Sequence, residues 1–232
     1  DHKHGRIWRI SFPENPPAPF TKPAEMNSKA LAEALLFSEE NIVRELATAE
    51  LRTRDADKML SALNSLELKD DLHIVRRVWA TQALNRLDIG LAKQLTKSKS
   101  HNARAAGLRA IYYDASNQKY KNVLSIAEEA VSDPSPHVRL WGVSLLAQLN
   151  DPQTVAIALR ALEGVEVDDF LDFAVWSICR EHRDRWVNEM KTKGENPFDS
   201  LSQLLFASSA IGEPLGADQI LDSLAKGKIR ED

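Results

Sequence analysis

The stretch that decides the fold is SDPSPHVRLWGVSLLAQLNDP, residues 132–152. It opens with a proline-containing turn, continues as an apolar run and ends in a second Asp-Pro turn. Within the run, Arg139 is followed three residues later by Gly142 and seven residues later by Leu146. Positions +3 and +7 from the arginine lie on one face of a helix, so this spacing predicts a buried helical stripe.

The same frame recurs along the chain, in the stretches 38–51 and 98–111 and in HIVRRVWATQAL. The arginines are Arg44, Arg77, Arg104 and Arg139, the small +3 residues are Ala47, Ala80, Gly107 and Gly142, and the aliphatic +7 residues are Leu51, Leu84, Ile111 and Leu146. A degenerate copy, FLDFAVWSIC, has Asp172 in the arginine position. A period of roughly 30 to 40 residues with two helices per unit is typical of a helical solenoid.

Each arginine-containing helix is the second helix of a pair, and an apolar stretch before it predicts the first. The predicted first helices are 28–37, 56–68, 89–98, 120–132 and 153–164. Aspartates in the turns are predicted to cap the next first helix, namely Asp55, Asp88, Asp114 and Asp151. Asp133 is predicted to cap its second helix, with Pro134 at the first helical position. Further helices are predicted within 182–194, 197–212 and 216–228. About eleven to thirteen helices are expected.

The small +3 residue has a predicted packing role, which is to let the paired first helix approach closely. The arginines are expected to form a ladder along the stack. Their expected partners are carbonyl groups at helix ends or aspartates of the next unit.

The N-terminal residues follow another pattern. In residues 1–12, Ile7, Arg9 and Ser11 alternate with Trp8, Ile10 and Phe12. This alternation predicts one β-strand, which we expect to be the last strand of a preceding β-domain. Residues 13–26 carry five prolines and predict an extended linker. Residues 27–228 form the predicted repeat domain. The expected fold is therefore all-α: a right-handed α-α superhelix, preceded by a short N-terminal strand and a proline-rich linker.

Composition excludes several classes of function. The 232 residues are 43% hydrophobic with a net charge of −4, which argues against a nucleic-acid-binding surface. No apolar run approaches the roughly 18 residues that a membrane span requires. Because Cys179 is the only cysteine, an intramolecular disulfide and a multi-cysteine zinc site are impossible. Its apolar helical context predicts a buried core residue.

The unit DPSPHVRLWGVSLLAQLNDPQTVAIALRALE resembles a HEAT repeat through its turn, its Val-Arg pair and the small residue that follows. The resemblance covers roughly residues 27 to 225. The N-terminal HGRIWRISF, the proline linker and FLDFAVWSICREHRDRWV together resemble the middle of large bacterial putative membrane-bound dehydrogenases. That family joins a β-propeller, a HEAT-like segment and a c-type haem domain.

This resemblance implies a non-catalytic spacer inside a larger periplasmic or secreted sugar-dehydrogenase-like protein. Haem or calcium would then belong to flanking domains, since the chain lacks a Cys-x-x-Cys-His motif. The expected partners are other domains of the same chain or another protein. The alternatives are a free-standing peptide-binding or protein-binding solenoid and, less favoured, a HEAT-like DNA glycosylase.

No catalytic, cofactor-binding or metal-binding residue is predicted, although several groups deserve comparison with known chemistry. His2 and His4 share one side of the predicted strand, but two ligands without a third are a weak metal site. His101 and His137 occupy equivalent turns, which favours polar turn residues. The acidic side chains Glu163, Glu166, Asp168, Asp169 and Asp172 flank a helix start. Negative charge is favourable there, and the cluster could also serve as an acidic contact patch.

Four tryptophans, Trp79, Trp141, Trp176 and Trp186, fall within predicted helices. Trp79 and Trp141 both lie at position +2 from an arginine, which predicts packing between neighbouring helical pairs. A tryptophan exposed on the concave face would instead be a candidate for partner recognition.

Overall fold

The computed structural model describes residues 20–115, 122–193, 196–215, 217 and 221. This part of the chain is all-helical and contains no β-strand, which confirms the predicted all-α class. The predicted strand at 1–12, most of the linker and all of the predicted helix at 216–228 except residues 217 and 221 lie outside the described residues. The chain divides into two compact units, Asp1–Leu66 and Glu67–Asp232.

Twelve α-helices occur in the described residues, within the predicted range of eleven to thirteen. They are α1 Ser28–Phe37, α2 Asn41–Leu51, α3 Ala56–Asn64, α4 Asp71–Ala83, α5 Ile89–Leu95, α6 His101–Ala115, α7 Val123–Ala130, α8 Pro136–Ala147, α9 Thr154–Leu159, α10 Asp169–Glu181, α11 Arg183–Lys193 and α12 Leu201–Ile211.

Aspartate caps start several of these helices, because a side-chain oxygen satisfies a backbone N–H that has no partner within the helix. Asp55 accepts a hydrogen bond from the Lys58 amide, and Asp88 accepts one from Leu91, as the sequence predicts. Asp151 accepts from the Gln153 amide in the turn before α9.

Three predicted caps are wrong. Asp151 is not the N-cap of α9, because that helix begins at Thr154 and its N-cap residue is Gln153. Helix α8 begins at Pro136 rather than Pro134, because either proline fits a first turn and Asp133 is engaged elsewhere. Asp114 lies inside α6, which continues to Ala115. The predicted linker also ends differently, since Pro23–Glu25 form one 3₁₀ turn with Pro23 buried.

In the first unit, α1 contacts both α2 and α3. The side chains between them are fully buried leucines and a methionine: Leu31, Leu36, Leu51, Met59 and Leu63. Arg54 donates a hydrogen bond to the Ala24 carbonyl at 3.0 Å, which attaches the 3₁₀ turn to the end of α2.

In the second unit, each second helix contacts the next one along the chain, in the order α4, α6, α8, α10 and α12. The first helices α5, α7 and α9 pack against α6, α8 and α10. Their buried side chains form one continuous hydrophobic cluster from α4 to α12. The pairs α5–α6, α7–α8 and α9–α10 therefore bury their apolar stripes against their neighbours in sequence.

The +3 and +7 positions of the repeat are buried as predicted. Leu51, Ile111 and Leu146 are fully buried, and Cys179 takes the +7 position of the degenerate copy in α10. A Cβ atom built on Gly107 would lie 2.6 Å from the Ala92 carbonyl oxygen, and one on Gly142 would lie 2.9 Å from the Ala130 Cβ. These two glycines allow α5 and α7 to approach the second helices closely.

Candidate functional site

Arg139 links two successive helical pairs from a buried position. Its side chain is only 6% exposed, and its Nε donates to the Asp133 carbonyl at 2.5 Å. Its Nη1 donates to the carbonyls of Ala161 at 2.9 Å and Glu163 at 2.6 Å, just beyond α9. Burial lowers the pKa of the Arg139 guanidinium, while the charges of Asp133 and Glu163 act in the opposite direction.

Arg104 makes the equivalent link one repeat earlier. Its Nε and Nη2 bind the two carboxylate oxygens of Asp133 at 2.6 and 2.8 Å, and its Nη1 donates to the Ser98 carbonyl at 2.9 Å. The hydrogen bond to Asp133 raises the Arg104 pKa. Asp133 is thus an inter-repeat partner, and its carboxylate also accepts the Ser135 amide at 2.8 Å in the turn before α8, where Ser135 is the N-cap residue.

These contacts match the predicted partners of the arginines, which are helix-end carbonyls and an aspartate of the next unit. Arg44, in the first unit, donates to the Ser38 carbonyl at 2.6 Å, within its own turn. Arg77 is buried, and burial lowers its pKa while the charge of Asp88 opposes that shift. The described contacts of Arg104 and Arg139 give these residues a structural role.

The four tryptophans differ in their surroundings. Trp186 is buried and donates to the Cys179 carbonyl at 3.0 Å. Trp141 and Trp176 are partly buried against the core. Trp79 does not follow the packing prediction, because 45% of its surface is exposed. Because its indole is exposed, Trp79 is a candidate for partner recognition.

Trp79 and Trp141 line a surface groove of about 430 Å³. The groove lies across α4, α6 and α8, and we call it the aromatic groove. Its lining residues include Leu72, Trp79, Ala103, Ala106, Arg109, His137 and Trp141. This size falls within the range of natural ligand sites, and its lining is mostly apolar.

Position +2 of the repeat explains the shape of the aromatic groove. This position holds Trp79 in α4, Ala106 in α6 and Trp141 in α8. A small side chain between two large ones leaves a trough along α6. The two tryptophans are predicted from the sequence, but Ala106 and Arg109 are not. The order of a large, a small and a large residue at position +2 could have identified Ala106 once the repeats are aligned.

A second exposed aromatic group occurs on α10. Phe170 and Phe173 are 75% and 64% exposed, and the Phe173 ring stacks on Trp176 with centroids 5.8 Å apart. Arg180 lies over Trp176, 4.5 Å from the ring centroid. These aromatic side chains form an exposed apolar surface on α10, next to the acidic residues at the start of the same helix.

The acidic stretch before and within α10 mainly serves the helix. Asp168 accepts a hydrogen bond from the Leu171 amide, and Asp169 and Asp172 lie in the first turn. The Glu163 carboxylate accepts from Gln203 at 2.7 Å. The positions of Asp168, Asp169 and Asp172 agree with the predicted role at a helix start, whereas Glu163 contacts α12.

His101 and His137 lie in the first turns of α6 and α8 and are exposed, which agrees with polar residues at equivalent turns. His2 and His4 lie outside the described residues. A search of the described residues found no group of three or more His, Cys, Asp or Glu side chains that could hold a metal ion.

Cys179 is fully buried, as predicted for a core residue, and burial raises its thiol pKa to about 12. The reactive form of a cysteine is its thiolate. We therefore expect a thiol reagent such as DTNB to react with the folded chain at least about 100-fold more slowly than with the chain in denaturant, at a pH of about 8. Because the chain has one cysteine, the reaction reports this position alone. Equal rates for folded and unfolded chain would contradict the burial.

His182 follows α10 and is buried, with its Nε2 3.3 Å from the Ala147 carbonyl oxygen. Burial, with a further contribution from Arg185, lowers its pKa. An unfolded histidine has a pKa of about 6.5, so below that pH the unfolded chain binds a proton more readily than the folded chain. The stability that neutral His182 contributes is therefore present above about pH 6.5 and is lost as the pH falls toward the lower folded pKa.

The free energy of unfolding should thus decrease between about pH 7 and pH 5, with His182 contributing at most about 1.4 kcal/mol per pH unit. His182→Gln should reduce this slope relative to that of the parent chain. Urea unfolding at several pH values measures both slopes. A slope that is the same in H182Q and in the parent chain would rule out this assignment.

Comparison with protein-family models, with curated proteins and with solved structures found no match. Among the described helices, none combines the length and apolar character needed to cross a membrane.

Proposed function

We propose that the helical pairs form a right-handed, HEAT-like solenoid that serves as a non-catalytic scaffold and binds protein through its second helices. The observation that carries this proposal is the aromatic groove, in which Trp79 is left 45% exposed among mostly apolar neighbours. Exposed apolar surface of this kind is typical of interaction sites. Tryptophan is also enriched among the residues that dominate binding energy.

The links between repeats support the scaffold part of the proposal. Arg104 and Arg139 occupy the same register position and each reaches residues of the next helical pair. Each pair in the second unit packs mainly on its neighbours in sequence, as repeat proteins do. A scaffold built this way presents a long row of second helices rather than one enclosed reaction chamber.

The resemblance to membrane-bound dehydrogenases supports a more specific role. The chain would act as a spacer between a sugar-dehydrogenase-like propeller and a c-type haem domain, in a periplasmic or secreted protein. The purified chain should then neither bind haem nor oxidise sugars. A protein extended at both ends in the source reading frame should bind haem covalently and oxidise a sugar with a dye as electron acceptor.

Two results would overturn the spacer role. One is sugar oxidation by the chain alone, and the other is an extended protein that carries no haem. If the extended protein lacks haem while the aromatic groove binds a peptide, the chain is a binding solenoid outside the dehydrogenase context, which is the alternative to the spacer.

The DNA glycosylase alternative has less support. The charged or titratable side chains of the aromatic groove are Asp71, Arg109 and His137, and the Asp71 carboxylate accepts a hydrogen bond from the Ser98 hydroxyl. Duplex binding normally needs a basic surface, whereas the net charge is −4. A labelled duplex should therefore stay unbound at physiological salt.

A further inference from the structure

The aromatic groove has a shape and a charge that select one class of partner. We propose that it binds an extended peptide segment that contains prolines and carries a carboxylate. This proposal rests on the proposed function, because it names the partner class for the same row of second helices.

The shape of the groove suits a narrow, apolar chain segment. Trp79 on α4 and Trp141 on α8 form its two walls, and Ala103 and Ala106 on α6 form its floor. The exposed indole of Trp79 has apolar area that a ligand would remove from water. The volume of about 430 Å³ is enough for a short peptide segment rather than for a folded domain.

One wall is fixed in place by its neighbours. The Trp141 ring meets the Tyr112 ring edge-on, with centroids 5.7 Å apart, and lies 6.5 Å from Tyr113. Rings held this way lose little side-chain freedom when a ligand binds, which favours affinity. The wall is therefore ready for a planar contact with an apolar ring.

The helical floor favours proline over a β-strand partner. The backbone N–H and C=O groups inside α6 already hydrogen-bond to one another. The floor therefore offers an added β-strand no row of backbone donors and acceptors to pair with. A proline has no N–H that would need a partner, and the polyproline II helix is extended with its backbone open to water. Aromatic-lined grooves bind such segments because the ligand is already ordered before it binds.

The charge of the groove favours an acidic residue in the ligand. Arg109 lies over the Tyr113 ring, 5.4 Å from its centroid, and forms no salt bridge with the described residues. His137 is exposed at the same groove. Asp71 is the one carboxylate among the lining residues that the structure describes, and it is engaged by Ser98. Arg109 is the only lysine or arginine among the described lining residues, so a carboxylate of the partner is its complement.

The test is fluorescence anisotropy of a fluorescein-labelled peptide, PPPEPPPEPPP, titrated with the full chain. We expect saturable binding that weakens about tenfold or more in Trp79→Ala, because a central tryptophan contact is lost. Arg109→Gln should weaken binding about threefold, and the same peptide with glutamine in place of glutamate should show no such difference. The matched control is Phe173→Ala, which removes an even more exposed aromatic side chain outside the groove.

Because Trp79 and Arg109 are exposed, circular dichroism of their variants should match that of the parent chain. The proposal is overturned if the proline peptide does not bind or binds W79A and the parent chain equally. It is also overturned if a helical peptide of alternating alanine and glutamate blocks, or a DNA duplex, binds instead with the same dependence on Trp79. Binding of the helical peptide would overturn the proline-containing partner but not the proposed protein-binding scaffold. The haem and turnover measurements test the spacer role separately.

Discussion

Replacing Arg139 by methionine should lower the free energy of unfolding by about 3 kcal/mol. The guanidinium donates to the carbonyl oxygens of Asp133, Ala161 and Glu163. Methionine fills a similar volume but donates no hydrogen bond, so buried acceptors lose their partner at about 1–3 kcal/mol each. The change also removes the cost of burying a cation, which keeps the net loss below the sum of these contributions.

The matched control for this variant is Arg160→Met in the same unit. Arg160 pairs with Glu128 at 3.0 Å and with Asp199 at 2.7 Å, but these three side chains are one-third to one-half exposed. Exposed ion pairs contribute up to about 1 kcal/mol each, so R160M should be much milder. Urea unfolding followed by far-ultraviolet circular dichroism compares the two. If R139M lost no more stability than R160M, the link between the repeats would not be structural.

Adding a single methyl group at Gly107 should destabilise the protein by a net of about 1–2 kcal/mol, in the upper part of the range because two contacts fall below 3.0 Å. The new Cβ would lie 2.6 Å from the Ala92 carbonyl oxygen and 2.8 Å from the Leu95 Cβ. Neither atom can rotate away, so α5 must move off α6, and overpacking of this kind costs about 1–3 kcal/mol. Alanine also favours the helix by about 1 kcal/mol over glycine, which offsets part of that cost.

Gly90→Ala is the control for this change, since it is also a glycine within a helix of the second unit. The nearest atom to its added Cβ is the Asp88 carboxylate oxygen at 3.2 Å, on a side chain rather than on backbone. The helix preference should dominate, so G90A should be within about 1 kcal/mol of the parent chain and on the stable side. Gly142→Ala should fall between the two, because its Cβ would meet the Ala130 Cβ at 2.9 Å. Thermal unfolding ranks the three variants, and a G107A protein as stable as G90A would contradict the close approach.

Most of the helix pattern could be predicted from the sequence. The +3 and +7 residues recur at helical spacing, so Gly142 and Leu146 mark the buried face whatever lies opposite them. Caps such as Asp55 and Asp88 act on backbone N–H groups three residues away and depend on local geometry alone.

The sequence predicts the chemical type of the arginines' partners, but it does not identify the individual residues. Arg104 was expected to meet an aspartate or a carbonyl of the next unit, and it meets Asp133. The same carboxylate also accepts the Ser135 amide in its own turn. A local contact of this kind follows from the sequence, whereas the guanidinium that reaches the carboxylate is set by the position of the neighbouring helix.

For the described residues, the sequence by itself determined the all-helical class, the positions of most helices and the stripe that the repeated helices bury, because these follow from spacing and from contacts a few residues apart. Only the tertiary structure decided that Trp79 is exposed while Trp186 is buried, and that Ala106 lies between two tryptophans as the floor of a groove. The physical reason is that exposure of a side chain depends on what the adjacent helices place beside it, and those residues lie roughly 30 or more positions away in the chain.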